Sequence, residues 1–257
     1  MDRFDCIVVT KDNPSILASF LNSAKQNGWG SRIPVRFLVV NNGSPESVAW
    51  IDPTWLRVEI IQMPENVGWT RGVLAGWRQS AAEFVCVSND DIVMLPGLFG
   101  SMDRMLRHFD DSRVGMVGIG TTDGYGPQSL TWVSEAQQPG QHVWSVAMLQ
   151  GCFSFYRRAA VETVGVLDES FLMHDDTDLC IRLRRGGFRV LLDRAYTVKH
   201  YGGQTGRVLY PGTWGEPGMV GPAIGQLIRK HGRPVVEEAF QFVPMPYAVE
   251  ERSPVHV

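Results

Sequence analysis

Short apolar runs alternate with amphipathic stretches along the first 120 residues of the chain. The runs are continuous and rich in β-branched side chains, a pattern typical of strands that are buried on both faces. The stretches between them repeat apolar residues every three or four positions, which predicts helices that bury one face. The predicted strands are residues 4–10, 35–40, 57–63, 84–87 and 114–119, and the predicted helices are residues 14–28, 69–80 and 96–109.

This alternation of strand and helix predicts parallel pairing with right-handed crossovers. We therefore expect an α/β fold in which an open, mostly parallel, twisted sheet carries helices on both faces. In such sheets ligands bind beyond the carboxyl ends of the strands. Polar residues follow three of the predicted strands directly, at 10–13, 41–44 and 89–91. One polar strand end is usually only a turn, but three that meet at one edge of a sheet indicate a binding site.

The second half of the chain has a different pattern. Residues 121–142 are polar and rich in Gly, Pro and Gln, which predicts a long surface loop. The apolar residues around Gly151 predict one bent strand or two strands, and two short apolar runs follow at 189–192 and 196–198. Near the C-terminus only residues 220–231 have a helical pattern.

Composition narrows the classes of function. The net charge of −3 and the pI near 6.1 give no electrostatic case for binding to nucleic acid or to an anionic membrane. The apolar runs are far shorter than the about 18 residues that predict a membrane-spanning helix, and the N-terminal segment lacks the pattern of a signal peptide. Four widely separated cysteines lie in apolar runs, which predicts buried thiols and a cytoplasmic protein.

Two predicted strand ends carry groups that suit a divalent cation. Asn89, Asp90 and Asp91 supply an amide and two carboxylates, and His200 follows a run that could return to the same edge. Mg²⁺ and Mn²⁺ commonly keep one or two protein carboxylates and take their other ligands from water and phosphate. An Asx-turn at the strand end and an ordinary packed histidine are the simpler alternatives.

The segment before the second predicted helix suits a phosphate group. Gly68 allows a close backbone approach, and the helix that follows it presents its positive N-terminal end. Asn66 and Arg71 flank this point, although Gly68, Gly72 and Gly76 do not form the dinucleotide-binding pattern G-x-G-x-x-G. Close packing of the helix explains Gly72 and Gly76 equally well.

A cluster of carboxylates opens a predicted helix that ends at Gly186 and Gly187. Asp175, Asp176 and Asp178 fall within four consecutive residues. The simplest explanation is that Asp175 caps the helix while the other two stabilise its positive end. The sequence contains no G-x-S-x-G segment, so it suits a general base and a metal ion better than a covalent intermediate.

Together these segments resemble the family 2 glycosyltransferases of the GT-A fold, especially the rhamnosyl- and galactofuranosyltransferase-like members. The resemblance covers residues 4–205, and each short motif is weak alone while their order and spacing make it strong. The closest similarity is to the family run G-x-x-D-E-x-F…E-D-x-D-L-C-x-R-x-x-x-x-G…H, at residues 165–200. The other similar segments are V-V-T-x-x-N at 8–13, N-N-G-S at 41–44, N-x-G at 66–68 and N-D-D at 89–91.

The resemblance implies transfer of a sugar from a UDP-, dTDP- or GDP-linked donor to an acceptor hydroxyl, with inversion at the anomeric carbon. It implies that Asp91 and His200 hold Mg²⁺ or Mn²⁺ on the diphosphate and that Asp176 is the general base. The acceptor is expected to be a glycan, a lipid-linked compound or another alcohol, and a homo-oligomer is compatible with this function. Acceptor binding or support of the base is expected of Asp175, Asp178 and Gly151. Contact with the nucleotide sugar is expected of Thr10, Asn13, Asn41, Asn66, Gly68, Arg71, Asn89 and Asp90.

The resemblance also divides the chain into a donor half at 1–120, an acceptor and catalytic half at 121–205, and a C-terminal cap or interaction arm at 206–257. Asn41 and Asn89 stand where the family usually has aspartate, and each removes a negative charge from the expected donor site. A binding module that has lost catalysis is therefore an alternative. A nucleotidyltransferase on a related sheet is another, although no basic, Gly-rich loop follows the first predicted strand.

Overall fold

The computed structural model contains an open sheet that extends through most of the chain. It describes residues 4–29, 34–52, 54, 56–96, 105–123, 128–129, 142–241 and 245–246. The strands are β1 (Phe4–Thr10), β2 (Val35–Asn41), β3 (Val58–Gln62), β4 (Phe84–Asn89), β5 (Ile92–Met94), β6 (Val114–Thr121), β7 (Val143–Ser145), β8 (Phe153–Arg157), β9 (Arg189–His200) and β10 (Met245–Pro246). The helices are α1 (Pro14–Gln26), α2 (Trp69–Gln79), α3 (Arg158–Val164), α4 (Asp175–Arg185), α5 (Gln204–Leu209), α6 (Pro217–His231) and α7 (Arg233–Phe240).

The strands within the described ranges form one sheet in the order β10-β7-β9-β6-β8-β4-β1-β2-β3, and β5 pairs with β9 outside this order. β1 is parallel to β2 and β4, and β6 is parallel to β9. β8 lies antiparallel between β4 and β6. The carboxyl ends of β1, β2, β3, β4, β6 and β9 therefore lie at the same edge, and the expected mostly parallel α/β sheet is confirmed.

Both faces of the sheet are covered by helices. Cys6 and Val8 of β1 pack in one apolar cluster with α1, whereas Ile7 and Val9 pack in a second cluster with α2 and α4. Successive residues of a strand point to opposite faces, so a continuous apolar run is what a strand between two helical layers requires. The N-termini of α1, α2 and α4 lie at or near the carboxyl edge of the sheet.

The structure differs from the sequence predictions mainly in the second half. The apolar residues around Gly151 form two strands, β7 and β8. The runs at 189–192 and 196–198 belong to one strand, β9, whose pairing with β6 jumps from Asp193 to Thr197 across a bulge. The start of the helix predicted at 96–109 and most of the loop predicted at 121–142 lie outside the described residues; residues 105–108 are helical.

The C-terminal segment contains three helices, α5, α6 and α7, where the sequence predicts one. α6 and α7 pack against α4 through an apolar cluster that contains Ile181 and Leu227, so this segment is part of the packed domain. None of the helices within the described ranges combines the length and apolar composition that a membrane-crossing helix needs.

Candidate functional site

The end of β4 and the end of β9 meet at the carboxyl edge of the sheet. β5 turns back from β4 and pairs antiparallel with β9, which sets Ile92 opposite His200. This pairing brings Asp91 Oδ1 to 3.2 Å from His200 Nε2. The amide nitrogen of Asn89 lies 3.2 Å from the same ring nitrogen. The structure thus brings His200 to Asn89 and Asp91, although His200 is more than 100 positions away from both in the sequence.

Asp91 and His200 form a buried pair of unlike charge. Asp91 is 4% exposed and His200 is 9% exposed. Burial alone would lower the pKa of His200, but its interactions with the Asp91 carboxylate and with Cys152 outweigh burial and raise the pKa to about 10. The 3.2 Å between Asp91 Oδ1 and His200 Nε2 is an ion-pair distance without hydrogen-bond geometry, since Asp91 Oδ1 has no hydrogen-bond partner among the described residues. The other ring nitrogen, His200 Nδ1, also has none there. A buried carboxylate oxygen left in this way is available to a ligand.

The donor atoms of this pair fit a hard divalent cation when His200 releases its Nε2 proton, because only a neutral imidazole can be a metal ligand. Two ligands in neighbouring positions of an octahedral ion with bonds of about 2.1 Å lie about 3 Å apart, close to the 3.2 Å between Asp91 Oδ1 and His200 Nε2. Among the described residues, no group of three or more His, Cys, Asp or Glu side chains could hold a metal ion. The protein would therefore supply few ligands, which suits Mg²⁺ or Mn²⁺ completed by water and phosphate.

Asp90 has a different environment from its neighbour. Its Oδ2 accepts a hydrogen bond of 2.7 Å from the hydroxyl of Thr10 at the end of β1. Burial, together with the nearby charge of Asp91, raises the pKa of Asp90 to about 7 although the Thr10 bond opposes this shift. Asp90 is thus a weaker candidate for a metal ligand than Asp91 and mainly joins β1 to β4.

The acidic start of α4 is built around two hydrogen bonds from other elements. Asp175 Oδ2 accepts from the hydroxyl of Thr70 on α2 at 2.8 Å. Asp176 Oδ2 accepts from the backbone N–H of Gly151 at 2.8 Å. Burial and the charge of Asp176 raise the pKa of Asp175 to about 7, although the hydrogen bond from Thr70 opposes this shift. Asp176 itself is half-buried, so its carboxylate is held in place yet open to a substrate.

The predicted capping role of Asp175 is wrong, because the helix begins one residue earlier than that role requires. His174 is the N-cap of α4, with a left-handed backbone at φ 64° and no side-chain capping bond. Asp175 is the first helical residue; its Oδ2 accepts from Thr70 on α2, and its Oδ1 accepts from the N–H of the next residue, Asp176, at 3.1 Å. The carboxylates still lie at the positive end of the helix, as the sequence predicts.

Gly151 and Cys152 connect the two acidic clusters. The Gly151 N–H donates to Asp176, and the carbonyl of the next residue, Cys152, accepts from the backbone N–H of Asn89 at 2.9 Å. A Cβ on Gly151 would lie 3.2 Å from the Cβ of Asp176, so the close contact favours glycine here. The predicted support of Asp176 by Gly151 therefore has a direct geometric basis.

Asp178 lies apart from Asp175 and Asp176. It is fully buried, and its carboxylate is within 2.8 Å of Arg182, Lys230 and His231. All of these partners lie on α4 or at the end of α6. Of the two roles expected of Asp178, acceptor binding is not favoured, because its side chain faces the C-terminal helices. Its expected support of Asp176 stays a prediction.

Asn41 also differs from its predicted role in nucleoside contact. It is fully buried, and its amide nitrogen donates to Ser44 O and to Gln62 Oε1, each at 2.8 Å. Its Oδ1 accepts from the backbone N–H of Gly43 at 3.0 Å. Both ends of the amide are used within the β2 loop and β3, so Asn41 shapes the loop instead of facing a ligand.

The remaining predicted donor contacts lie on the loops at the same edge. Asn66 Oδ1 accepts from the N–H of Gly68, whose φ of 81° suits glycine. Arg71 is exposed and pairs with Glu169 at 3.3 Å. Asn13 occupies the N-cap position of α1 without a side-chain capping bond.

Gly72 and Gly76 are explained by helix packing. A Cβ at Gly72 would come within 2.8 Å of the Val9 side chain, and one at Gly76 within 2.6 Å of Ile7. Both glycines therefore let α2 lie close to β1, and only Gly68 remains a candidate for a close approach to phosphate.

A cavity of about 300 Å³ opens beside Asp91, on the α1 face of the sheet. Sequence reasoning did not single out the residues that α1 and the segment after β9 contribute to it. Serine and glutamine at these positions carry no motif, and only the fold brings them to Asp91. These residues are Ser15, Ile16, Ser19, Tyr201 and Gln204.

Comparison with known proteins assigns the chain to a family. The profile described as glycosyl transferase family 2 matches residues 5–165, more than half of the chain. No curated protein matches the sequence. The chain belongs to glycosyl transferase family 2, and the match ends before α4, so the acidic helix and His200 lie outside the matched residues.

Solved glycosyltransferases share the fold at low sequence identity. The mannosyltransferase PcManGT from Pyrobaculum calidifontis, in complex with GDP-Man and Mn²⁺, is 16% identical with a TM-score of 0.67 over 93% of this chain and 69% of its own. Residues 1–349 of S. aureus TarS are 13% identical with a TM-score of 0.62, covering 93% of this chain and 71% of that one. GalNAc-T7 with UDP, GalNAc and Mn²⁺ is 10% identical with a TM-score of 0.61, covering 77% and 42%. With the family match, these similarities identify a glycosyltransferase of the GT-A fold.

Proposed function

We propose that this glycosyltransferase transfers a sugar from a nucleotide-diphosphate donor directly to an acceptor hydroxyl, with a divalent cation bound at Asp91 and His200 and with Asp176 as the general base. The observation that carries this proposal is the Gly151–Cys152 segment, which holds Asp176 on one side and Asn89 on the other. A donor site and a base are thereby built next to each other on rigid elements. Direct attack by the acceptor on the face opposite the leaving nucleotide inverts the anomeric carbon.

On the donor side, the loops after β1, β3 and β4 surround the site. Gly68 lets a ligand approach the backbone closely, and the N-terminus of α2 offers backbone N–H groups to a phosphate. Arg71 can exchange its exposed partner Glu169 for a phosphate. The hydrogen bond between Thr10 and Asp90 joins the ends of β1 and β4 beneath the donor. Asn13 and Asn66 lie on the loops around it. The solved relatives in complex with GDP-Man or UDP support a donor of this class, and a dTDP-linked sugar belongs to the same class.

A divalent cation held by Asp91 and His200 would neutralise the charge that develops on the leaving diphosphate. Mn²⁺ in two of the solved relatives and the unpartnered Asp91 oxygen support this assignment, and Mg²⁺ has the same ligand preference. The amide of Asn89 lies against His200, and rotation of the amide group would turn its oxygen toward the same position.

On the acceptor side, Asp176 accepts a proton from the attacking hydroxyl. The N–H groups of Gly151 and Thr177 each donate to one of its oxygens, at 2.8 and 2.6 Å, and hold the carboxylate in place. Asp175 is a positioning residue that ties this turn to α2. The acceptor class, a glycan, lipid-linked or other alcohol, follows from the reaction, and the four buried free thiols support a reducing, cytoplasmic location.

The test is a panel of nucleotide sugars scored by thermal shift with Mn²⁺, with Mg²⁺ and with a chelator. Because a ligand that binds the folded state stabilises it by mass action, we expect one donor class to raise the melting temperature only when a cation is present. The same donor should then support sugar release or transfer to added alcohols. A chain that no nucleotide sugar stabilises under any of these conditions would contradict the proposal.

A binding module without catalysis is the second candidate. The observations that favour it are the replacement of family acids by Asn41 and Asn89 and the small number of protein ligands at the cation site. It predicts cation-dependent donor binding with neither hydrolysis nor transfer. The intact Asp176, held at 2.8 Å by Gly151, favours the enzyme.

A further inference from the structure

The C-terminal helices contact α4 at the turn that carries the candidate base. The apolar side of this contact contains Phe171 and Ile181 on the α4 side and Leu227, Val236 and Ala239 on α6 and α7. Its polar side reaches Asp178, two residues after Asp176. No part of this contact lies within the residues that the family profile matches.

Asp178 is the centre of the polar contact. Its Oδ1 lies 2.7 Å from His231 Nε2 and 2.7 Å from Lys230 Nζ, and its Oδ2 accepts from Arg182 Nε at 2.8 Å. Asp178 is fully buried and His231 is 8% exposed. A buried carboxylate is tolerated only when its charge is paired and hydrogen-bonded, so the end of α6 is needed to complete this site.

The two ring nitrogens of His231 have separate partners. Arg185 Nη1 lies 3.1 Å from His231 Nδ1, and Arg185 Nη2 donates to the His231 carbonyl at 2.9 Å. A guanidinium can only donate, so Nδ1 is the acceptor and Nε2 carries the hydrogen that is donated to Asp178. His231 therefore links the first turn of α4 to its last turn.

A second set of contacts holds the chain just before α4. Lys230 pairs with Asp168 at 2.7 Å, and Gln226 donates to Ser170 at 2.9 Å. The ring of Phe240 at the end of α7 lies edge-on to His174, the N-cap of α4, with the ring centres 5.5 Å apart. The C-terminal helices thus touch α4 before, at and after the residue that we assign as the base.

We propose that the C-terminal helices set the position of Asp176 and that His231, through Asp178, is the positioning residue. This inference rests on the proposed function of Asp176. Asp178 and Asp176 share one helical turn, so a shift of Asp178 moves the base. A misplacement of about 1 Å can lower a rate by about 100-fold. The hydrogen bonds of His231 described above go to Asp178 and Arg185 on α4 and not to the donor loops.

A matched pair of amide variants tests the inference. The amide of His231→Gln can reach the position of Nε2 and keep a hydrogen bond to Asp178, whereas that of His231→Asn is one methylene too short. We expect His231→Gln to keep kcat within about threefold of the wild type and His231→Asn to lower kcat about tenfold, a loss of about 1.4 kcal/mol in transition-state stabilisation. The KM for the donor and the cation-dependent thermal shift should not change in either variant.

The outcomes separate positioning from simple stabilisation. Equal kcat in His231→Asn and the wild type, with a lower melting temperature, would show that the contact only stabilises the fold and would overturn the inference. A parallel rise in donor KM would also overturn it, because positioning of the base predicts an effect on kcat alone. If His231→Asn does not fold, Lys230→Gln is the second variant, because it weakens the contact with Asp178 from an exposed position. It should lower kcat about threefold at constant donor KM, and an unchanged kcat would overturn the inference.

Asp176→Asn, measured in parallel, distinguishes a failure of the proposed function from a failure of the inference on His231. An active Asp176→Asn enzyme would remove the proposed function, and the inference on His231 with it. An inactive Asp176→Asn enzyme together with an unaffected His231→Asn enzyme would remove the inference alone.

Discussion

The aspartate pairs Asp90–Asp91 and Asp175–Asp176 are alike in the first residue of each pair and differ in the second. In each pair the first carboxylate is buried and accepts a hydrogen bond from a threonine hydroxyl. Thr10 donates to Asp90 at 2.7 Å, and Thr70 donates to Asp175 at 2.8 Å. Burial raises the pKa of Asp90 and of Asp175 to about 7.

The second carboxylate of each pair faces the site. Asp91 lies 3.2 Å from the His200 ring, whereas Asp176 is held by the N–H of Gly151. An imidazole and a carboxylate suit a cation, and a carboxylate with backbone donors suits proton transfer. At each of these two ends the first carboxylate accepts from a threonine and the second faces other groups, so we assign the two neighbours separate roles.

The largest expected effect separates Asp91 from Asp90. Asp91→Asn removes the charge of the proposed cation ligand, so we expect the Mn²⁺-dependent shift with donor to disappear and turnover to fall at least about 100-fold, at the upper end of losses seen when metal sites are altered. Asp90→Asn keeps the bond to Thr10 and should lower turnover much less. Titration calorimetry with Mn²⁺ and donor measures both variants, and equal losses would contradict the division of roles.

The hydrogen bond from Thr70 offers an isosteric test on the acceptor side. Thr70→Val removes the donor and leaves Asp175 Oδ2 buried without it, a cost of about 1–3 kcal/mol. Part of this cost should appear as a fall in kcat of about tenfold, with donor KM unchanged. Thr70→Ser retains the hydroxyl and serves as the matched control. A Thr70→Val enzyme with wild-type kcat would show that Asp175 does not position the base.

The raised pKa of Asp175 predicts a pH-dependent stability. Between about pH 4 and the folded-state pKa of about 7 the folded protein keeps a proton that the unfolded chain, with an aspartate pKa of about 3.9, has released. The free energy of unfolding contributed by this residue therefore falls as the pH rises through that window. Asp175→Asn should reduce this fall in urea unfolding measured at about pH 5 and about pH 8 without added metal. Parallel pH profiles of the wild type and Asp175→Asn would argue against a buried, protonated Asp175.

The smallest expected effect concerns the loop after β2. Asn41→Asp replaces the amide that donates to Ser44 O and Gln62 Oε1 with an acceptor, so two oxygens would face a carboxylate. We expect a loss of about 1–3 kcal/mol in the free energy of unfolding and no gain in donor affinity, although the change restores the residue usual in the family. A gain in donor affinity would show that Asn41 faces the nucleoside. Chemical denaturation and donor titration measure the two quantities.

Most of the fold could be predicted from the sequence, because buried parallel strands and one-sided helices leave clear periodic patterns. The site could be located in the sequence where one short segment carries several carboxylates, as at Asp91 and Asp176, whose roles stay predictions. It was not predictable where contacts join distant residues: nothing in the sequence indicates that His231 meets Asp178, 53 positions away. Family position did not indicate that local hydrogen bonds and ion pairs already use the side chains of Asn41 and Asp178, which weakens their expected contacts with the nucleoside and with the acceptor.

The C-terminal segment was the least predictable part. α5 and α7 are six and eight residues long, too short for their own periodicity to specify a helix in water. Their helical structure depends on packing against the rest of the domain. In α7, for example, Val236 and Ala239 pack in the apolar cluster with Ile181 of α4. Sequence patterns report such dependence only weakly.

The rate of sugar transfer by Asp176→Asn, saturated with donor and Mn²⁺, tests the central claim most directly. Because a general base contributes about 10²–10⁴-fold to a rate, the account predicts a loss of that size while the cation-dependent stabilisation by donor remains equal to that of the wild type. Transfer at the wild-type rate, or loss of donor binding together with transfer, would contradict the division between a cation site at Asp91 and a base at Asp176.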